Sequence, residues 1–528
     1  MLHFLKTCEP SMVEFEQKHT QWTWGWERAA LALILGIGLM RILALALNPI
    51  ELYADESQYW VWSLRLDWGY FSKPPMIAWL IRLMTTIFGD TEFSVRLASP
   101  LLHSATASFL FLSARKLWDA RTGFWAALIY LTIPSLWISG AIISTDVPAM
   151  CAWSAGLYAL LRLRDGGGWA SAAGLGLAIG LGFLSKYVLI YFVLGVGICL
   201  VIDAPTRHAL LNLRGALAML IGAALLTPNI LWNAAHDFAT VSHTAANANW
   251  GGDLFHPAEL FEFLAGQLGI FGPALFIVLL AILGGIIWRF REALPDSRLL
   301  AAFILPALLT VSAQAFISRA HANWAGAAYI AATLLVAAFL LRGPAWRRGI
   351  LYGSIAFHTA LGLFMTVVVV NPPLVEAFHL ENSTKRIRAW QETADAISQA
   401  GTAADYSAIV FDDRNIFHQM QRYGSDTNPS LAMWLRYSGP VNHAEQEWPL
   451  EDGHQAPVLI VSHRPLEVAK MREDFDQFDA AGSLSIALDG DKTREFTLWR
   501  AQGYHRIERD AAYEMNWQAI DEAVQAGN

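Results

Sequence analysis

The sequence predicts a polytopic α-helical membrane protein that carries a small α/β domain at its C-terminal end. The 528 residues are 55% hydrophobic and only 16% charged, a balance that no ordinary soluble domain of this length shows. Apolar stretches of about 18 to 20 residues, the length that crosses a bilayer, recur along the first part of the chain. They stop near Asn371, after which charged residues become frequent.

The pattern predicts about 11 to 13 transmembrane helices between residues 29 and 370, the expected transmembrane domain. Eleven spans are read directly from apolar segments near residues 29–47, 97–113, 123–141, 147–161, 170–185, 187–202, 215–232, 269–287, 299–317, 325–341 and 349–370.

Basic residues predict the orientation, because Lys and Arg near helix ends are retained in the cytoplasm. The loop around Asp146 and residues 233–267 hold none of them. The alternate loops hold Arg115, Lys116, Arg121, Arg162, Arg164, Arg207, Arg214, Arg289, Arg291, Arg298, Arg342, Arg347 and Arg348. Residues 1–28, which lack the pattern of a cleavable signal peptide, are therefore expected to be cytoplasmic. The first outer loop, residues 48–96, and the domain of residues 371–528 are expected outside.

The C-terminal domain shows alternating strand and helix patterns. Residues 407–413 and 457–463 are predicted to be buried strands, and residues 384–400 an amphipathic helix. The end of the chain, from about His505, is polar and is expected to be helical. Such alternation is typical of a small α/β domain.

Several function classes are excluded by what the sequence lacks. The formal net charge is −8, without a basic tract, so no nucleic-acid partner is expected. No P-loop, GxGxxG, HExxH or GxSxG motif is present, which leaves soluble nucleotide chemistry without a visible site. Cys8 precedes the first span, and Cys151 and Cys199 lie inside predicted spans, so no disulfide is expected.

The first outer loop carries the strongest functional signal. Asp55 and Glu56 follow the first span closely, and Lys73 precedes two prolines that restrict its backbone. A carboxylate can take a proton from an acceptor, and a rigidly presented ammonium suits a phosphate. The alternatives are a helix cap for Asp55 and snorkelling toward lipid headgroups for Lys73.

Aromatic residues fill the stretch between these charges. Among them, Tyr59, Trp62 and Tyr70 are candidates for the wall of a lipid and sugar site. The same aromatic surface would also suit a loop that lies at the membrane interface.

Three further charged residues lie at predicted outer ends of spans. Asp146 begins the fourth span, where an Asp commonly caps a helix. Lys186 lies between two spans with almost no loop, where a charge is costly unless it is paired or faces a polar cavity. Arg319 occupies another short outer loop. We expect Lys73, Lys186 and Arg319 to contact a phosphate.

No spacing among the His, Asp and Glu residues of this sequence is diagnostic of a metal site. His236, Asp237, His243, His256 and Glu259 share one long outer segment and are the residues that could hold an ion. The sequence requires no metal or other cofactor, although a divalent cation can be accommodated.

The succession DESQYW, YFSKPPMIAWL, FGDTEFSVRL, STDVP and FLSKY resembles membrane glycosyltransferases that use polyprenyl-phosphate sugars. It looks most like the aminoarabinose–lipid A transferases and the wider group related to protein O-mannosyltransferases, which have the GT-C fold. The resemblance covers roughly residues 25–345. It implies a bacterial inner-membrane protein with a periplasmic C-terminal domain.

The resemblance also implies roles for individual residues. In the resemblance, Asp55 matches a carboxylate that is proposed to act as the general base at the acceptor hydroxyl. Lys73 matches a lysine that holds the donor phosphate. Asp146 and Lys186 match a second acid and a later lysine. Glu92 and Arg96 belong to the same pattern, and Arg96 can also serve as an anchor for the second span. Ser72 stands where the aminoarabinose branch often has a metal-binding Glu, which favours another sugar or acceptor.

The expected function is inverting transfer of a sugar from a polyprenyl-phosphate donor to an acceptor hydroxyl or phosphate on lipid A or another envelope glycan. Asp55 would be catalytic, and Glu56, Asp146 and Glu92 would support the acceptor side. Protein O-glycosylation is an alternative within the same fold. A lipid-linked sugar transporter or flippase, and a scaffold whose outer domain binds a partner, are alternatives of other classes.

Overall fold

The computed structural model describes residues 23–246, 248, 254–425, 429–488 and 490–527. Most of the expected cytoplasmic segment, including Cys8, lies outside this range. Cys151 and Cys199 are free thiols.

Helices dominate the region before residue 370. They are α1 Thr23–Ala46, α2 Ala54–Leu64, α3 Met76–Phe88, α4 Glu92–Arg96, α5 Ala98–Leu117, α6 Ala120–Thr132, α7 Pro134–Ser139, α8 Asp146–Arg164, α9 Trp169–Ser185, α10 Ile190–Ile202, α11 Ala204–Leu210, α12 Leu213–Ala235, α13 Ala239–Ala246, α14 Pro257–Phe271, α15 Pro273–Trp288, α16 Pro295–Ile317, α17 Ala328–Leu341 and α18 Ala345–Val369. Short 3₁₀ turns occupy Tyr187–Leu189 and Ala322–Ala325.

Several of these helices are long and apolar enough to cross a membrane. In the described part of the chain five pass on length and hydropathy, and up to seven if two sharply bent helix pairs each form one span. Every segment predicted as a span coincides wholly or partly with a helix. The predicted count of 11 to 13 stays a prediction, because α3, α9 and α17 are apolar but shorter.

Helix α14 falls mostly in a segment that the sequence pattern assigned to an outer loop. It meets α15 at an angle of 115°. The bend occurs at Gly272, whose φ of +99° disfavours other residues and whose missing side chain leaves room for the ring of His358. The hydropathy pattern does not reveal this bend, because both helices are apolar.

A buried ion pair joins the first outer loop to the helices behind it. Glu56 and Arg96 are 1% and 2% exposed, and Arg96 donates to both carboxylate oxygens of Glu56, from Nε at 2.9 Å and Nη2 at 2.7 Å. The same carboxylate accepts hydrogen bonds from the backbone N–H of Tyr53 and of Ile143, each at 2.9 Å. Arg96 also donates to the carbonyl of Ile50 at 2.8 Å. The pair thereby ties α2 to α4 and to the segment before α8.

The C-terminal region forms a five-stranded mixed sheet of order β2-β1-β3-β5-β4. The first three strands of that order are parallel, and β5 runs antiparallel to both of its neighbours. The strands are β1 Ala408–Phe411, β2 Ser430–Met433, β3 Val458–Ser462, β4 Phe475–Ala487 and β5 Thr493–Tyr504. Helices are α19 Pro372–Ala377, α20 Glu381–Thr384, α21 Trp390–Thr402, α22 Arg414–Tyr423, α23 His443–Glu447, α24 Pro465–Arg472 and α25 Ala511–Gly527. The predicted α/β pattern, both predicted strands and the helical end are confirmed.

The helix predicted from residue 384 is wrong at its start, because α21 begins only at Trp390. Ala389 adopts a left-handed φ of +57°, which interrupts the helix. Arg494 donates hydrogen bonds to the carbonyls of Lys385, Arg388 and Ala389. The carbonyls of Lys385 and Arg388 therefore bind a side chain of β5 where the predicted helix would use them, whereas the carbonyl of Ala389 also accepts the N–H of Thr393 and so begins α21.

Helix α22 packs against α2 and joins the two regions of the chain. Gln419 accepts a hydrogen bond from Ser57 Oγ and donates one to the carbonyl of Leu52, both at 2.8 Å. Tyr423 accepts from the N–H of Leu52 at 2.8 Å. Trp62 of α2 is buried as well, against the rings of Tyr70 and His443.

The Glu56–Arg96 pair is expected to be a major source of stability. Glu56→Gln removes the carboxylate and leaves Arg96 as an uncompensated buried cation, which should lower the free energy of unfolding by about 3 to 5 kcal/mol. Chemical unfolding in detergent micelles, followed by tryptophan fluorescence, measures this change. The control is Glu27→Gln, which breaks the more exposed pair with Arg115 and should cost less than about 1 kcal/mol. Equal losses in the two variants would contradict this role.

Candidate active site

Five charged side chains from five different segments meet beside the N-terminal end of α2. The turn before α3 contributes Lys73, and the break after α9 contributes Lys186. Asp55, Asp146 and Arg414 lie in the first turns of α2, α8 and α22. We call these five residues the charged cluster. It contains three cations and two carboxylates, so one positive charge is in excess.

Two contacts within the charged cluster are direct. Lys186 Nζ lies 2.7 and 2.9 Å from the two carboxylate oxygens of Asp146. Arg414 Nη2 lies 3.8 Å from Asp55 Oδ1, which is close enough for electrostatic attraction but too long for a hydrogen bond. The structure therefore pairs the two predicted residues Asp146 and Lys186, and places an unpredicted arginine beside Asp55.

Lys73 lies within reach of all four other members. Burial lowers the pKa of its ammonium, and the charges of Lys186 and Arg414 lower it further, whereas Asp55 and Asp146 raise it. Within the described residues, Lys73 forms no ion pair. Its backbone carbonyl accepts the N–H of Tyr70 at 3.1 Å, which closes the turn that presents the side chain. The result is a partly buried cation whose position is defined and whose ammonium can bind an anion.

Asp55 is not the residue that caps α2. The Glu56 carboxylate binds the N–H of Tyr53 and so takes the capping role. The carboxylate of Asp55 is 47% exposed and accepts no hydrogen bond from the described residues. An exposed carboxylate beside two lysines and an arginine is suited to accept a proton from a bound hydroxyl.

Three other predicted charged residues lie outside the charged cluster, and one of them, Glu56, is buried in its ion pair with Arg96. Glu92 binds Arg422 Nη2 at 3.3 Å and the hydroxyl of Tyr423 at 3.2 Å, about two turns along α22 from Arg414. Arg319 is exposed between α16 and the following 3₁₀ turn, and no contact with the charged cluster is found among the described residues. The roles of Glu92 and Arg319 in binding substrate stay predictions.

The three aromatic residues predicted to form a lipid and sugar wall lie in two different places. Tyr59 is buried near Asp55 and Asp146, and burial together with these carboxylates raises the pKa of its phenol well above the ordinary value. Trp62 stacks on Tyr70 with ring centroids 4.6 Å apart. These two rings line a separate cavity of about 490 Å³ between the first outer loop and the C-terminal domain.

An apolar groove begins at the charged cluster. This cavity of about 490 Å³ is formed by α3, α5, α8 and α9. Met76, Pro148 and Ser185 line one end, each within three residues of a member of the charged cluster. Arg162 and Ala170 line the other. Along α8 the lining runs from residue 148 to residue 162, about 21 Å at the rise of an α-helix. A charged head and an apolar tail can therefore bind together.

The candidate metal ligands do not form a cluster in the described part of the chain. His236 stacks on Trp232 and contacts its carbonyl through Nδ1 at 2.8 Å. The side chain of His243 lies outside the described residues. A role for a divalent cation stays a prediction.

Comparison with known proteins identifies the family. The sequence profile of the dolichyl-phosphate-mannose-protein mannosyltransferase family matches residues 72–232. Lipid A galacturonosyltransferase RgtD of Rhizobium johnstonii is 30% identical over 438 residues, which are 82% of this chain and 91% of that protein. The chain belongs to this family of glycosyltransferases. It is therefore an enzyme that transfers a sugar, as the resemblance of its motifs implied.

Further relatives agree on the fold. An undecaprenyl phosphate-aminoarabinose transferase of Yersinia enterocolitica is 31% identical over 310 residues, 53% of this chain and 54% of that protein. The crystal structure of ArnT from Cupriavidus metallidurans bound to undecaprenyl phosphate superimposes with a TM-score of 0.63 at 14% identity, covering 90% of this chain and 98% of that one. The predicted GT-C fold class is confirmed.

Sequence reasoning missed one member of the charged cluster, Arg414. It lies more than 350 residues beyond Asp55, so no local motif joins the two. The only signal is the polar sequence Asp412-Asp413-Arg414, which directly follows the buried strand β1. Polar residues at the carboxyl end of a parallel strand are common in binding sites.

The lowered pKa of Lys73 predicts the pH dependence of the glycosyltransferase. As pH rises through that lowered value, the ammonium loses its charge, so kcat/KM for the donor should fall at a lower pH than an ordinary lysine would produce. Lys73→Arg keeps the charge and should shift the fall to higher pH. Initial rates across pH in detergent micelles measure both profiles. If kcat/KM falls at the same alkaline pH in the wild-type enzyme and in Lys73→Arg, Lys73 is not the group whose titration causes the fall.

Proposed function

We propose that this glycosyltransferase takes a sugar from a polyprenyl-phosphate donor and transfers it to a glycolipid of the lipid A class on the outer face of the bacterial inner membrane. The observation that carries the proposal is the apolar groove that ends at the charged cluster. A polyprenyl chain matches the groove, and its phosphate would then lie beside Lys73. A soluble nucleotide sugar would leave the groove without a function.

The proposed chemistry is a single displacement at the anomeric carbon. The acceptor oxygen forms a bond to that carbon while the bond to the phosphate oxygen breaks and the phosphate leaves with the electron pair. Asp55 accepts the proton of the attacking hydroxyl, and Lys73 stabilises the charge that develops on the leaving phosphate. One displacement inverts the anomeric configuration. The cations of the charged cluster supply positive charge at the phosphate, so a divalent cation would be an optional addition.

The relatives support the same donor and acceptor classes. ArnT from Cupriavidus metallidurans was crystallised with undecaprenyl phosphate, and the RgtD relative is named for transfer to lipid A. The basic loops of this sequence support an outer location for Asp55 and Lys73 and for the C-terminal domain.

Transfer to protein is the second candidate, favoured by the match of residues 72–232 to a protein mannosyltransferase profile. Mass spectrometry of envelope glycolipids and glycoproteins from a deletion strain separates the two. A sugar missing from lipid A supports the proposal, and one missing only from proteins overturns the acceptor assignment.

The two central residues of the mechanism can be tested together. Asp55→Asn and Lys73→Ala should each reduce transfer by at least about 100-fold, because a general base and a phosphate-stabilising cation each commonly contribute that much. Transfer from radiolabelled lipid-linked sugar in proteoliposomes measures the rate, and thermal unfolding verifies the fold. The matched control is Asp67→Asn, an exposed carboxylate of the same loop that should keep full activity. Full activity in both test variants would refute the mechanism.

The groove makes a separate prediction about donor length. Ala155→Trp places a bulky ring among the lining residues of α8 and should raise KM for a long polyprenyl donor by about 10-fold or more, while a donor with one or two isoprene units is affected little. Steady-state kinetics with both donors measure the difference. Ala281→Trp, on an exposed face of α15, is the control. If KM rises equally for donors of both lengths, the groove does not bind the polyprenyl chain.

A further inference from the structure

The C-terminal domain contributes an arginine to the active site, and its contacts point to the kind of sugar that the enzyme accepts. We propose that Arg414 binds the carboxylate of a uronic acid on the lipid-linked donor and thereby selects an acidic sugar over a neutral one. This inference rests on the proposed function.

Arg414 is held by a buried amide. Its Nη1 donates a 3.0 Å hydrogen bond to Oε1 of Gln58, which lies one turn after Asp55 on α2 and is buried. The helix that carries Arg414 is capped by Asp413, whose Oδ1 accepts from the N–H of Asn415 at 2.7 Å. The cap fixes the start of the helix, and Gln58 holds the guanidinium beside the N-terminal end of α2, near Asp55.

Another arginine of α22 also attaches the domain to the first outer loop. Arg422 is 9% exposed, binds Asp90 at 2.8 Å and Glu92 at 3.3 Å, and stacks over Trp60 at 4.6 Å. Arg414 and Asp55 are 36% and 47% exposed, and a pair this exposed at 3.8 Å contributes little to stability. Arg414 joins the domain to α2 through Gln58, and its contact with Asp55 adds little to that attachment.

The guanidinium retains unused donors. A guanidinium has N–H groups on three nitrogens, and in the described residues Arg414 makes one side-chain hydrogen bond, to Gln58. Its planar fork matches a carboxylate, which it can bind through two parallel hydrogen bonds. Asp55 is too distant to use those donors, so they can bind a ligand.

The arrangement of charges indicates that the anionic group bound by Arg414 belongs to the sugar and not to the leaving phosphate. Asp146 already neutralises Lys186, and Lys73 is the one cation of the charged cluster that forms no ion pair with a described residue, which suits it to the phosphate. In a single displacement the base and the leaving phosphate lie on opposite sides of the sugar ring. Arg414 is next to the base, Asp55, so it faces the sugar and the acceptor. A second anion is expected there, and the RgtD relative is named for galacturonosyl transfer.

The experiment compares two donors that differ only at this group, polyprenyl-phosphate galacturonic acid and polyprenyl-phosphate galactose. The full-length enzyme in nanodiscs should prefer the uronic acid donor. Arg414→Gln should lower kcat/KM for the uronic acid donor about 10- to 100-fold more than for the galactose donor, the value of a hydrogen-bonded charge. Arg414→Lys should restore part of the preference, because it keeps the charge but loses the fork.

The matched control is Arg422→Gln, which weakens docking of the same helix and should change transfer of both donors equally. Equal losses for both donors in Arg414→Gln, or no loss, would overturn the inference. If Arg414→Gln lowers kcat/KM with a phosphorylated acceptor and not with a dephosphorylated one, Arg414 binds an acceptor phosphate, and the inference is overturned too. Failure of the wild-type enzyme to use any polyprenyl-phosphate sugar would instead refute the proposed function on which the inference rests.

Discussion

The buried pair between Glu56 and Arg96 is the interaction on which the active site depends. Adjacent residues on a helix point about 100° apart, so fixing Glu56 toward the protein interior directs Asp55 outward into the site. The same pair connects α2 to α4 and to the segment that leads into α8, where Asp146 begins. One interaction therefore aligns two of the segments that carry charged residues of the site. Its desolvation is costly, and the cost is offset because both partners also bind backbone groups.

The other members of the charged cluster are partly buried, and a buried charge is costly unless another group compensates it. Lys186 lies in a break between helices, and Asp146 at a helix N-terminus, where the helix dipole favours an anion. Their contact at 2.7 Å satisfies both charges. Lys73 is placed differently, since the described residues offer it no carboxylate within ion-pair distance. Burial and the neighbouring charge of Lys186 lower the pKa of its ammonium, and a bound phosphate would raise that pKa again.

The C-terminal domain is part of the site as well as a neighbour of it. Helix α22 lies against α2, with Arg414 near Asp55 at one end and Arg422 bound to Asp90 and Glu92 at the other. The cavity beside Trp62 opens between the same two regions. An enzyme built in this way can vary its substrate by changing the domain while the transmembrane part retains the apolar groove.

The sequence by itself determined the membrane class and the α/β character of the C-terminal domain, and it predicted Asp55 and Lys73 as residues of the site. Composition, apolar length and strand periodicity are local properties, and they persist whatever the chain packs against. Tertiary structure alone decided which of two adjacent carboxylates faces the site, that α21 starts at Trp390 because Arg494 binds the preceding carbonyls, and that Arg414 joins the charged cluster. Each of these outcomes depends on a pairing between side chains and partners far apart in sequence. Such pairings are set by packing and desolvation, which no local pattern encodes.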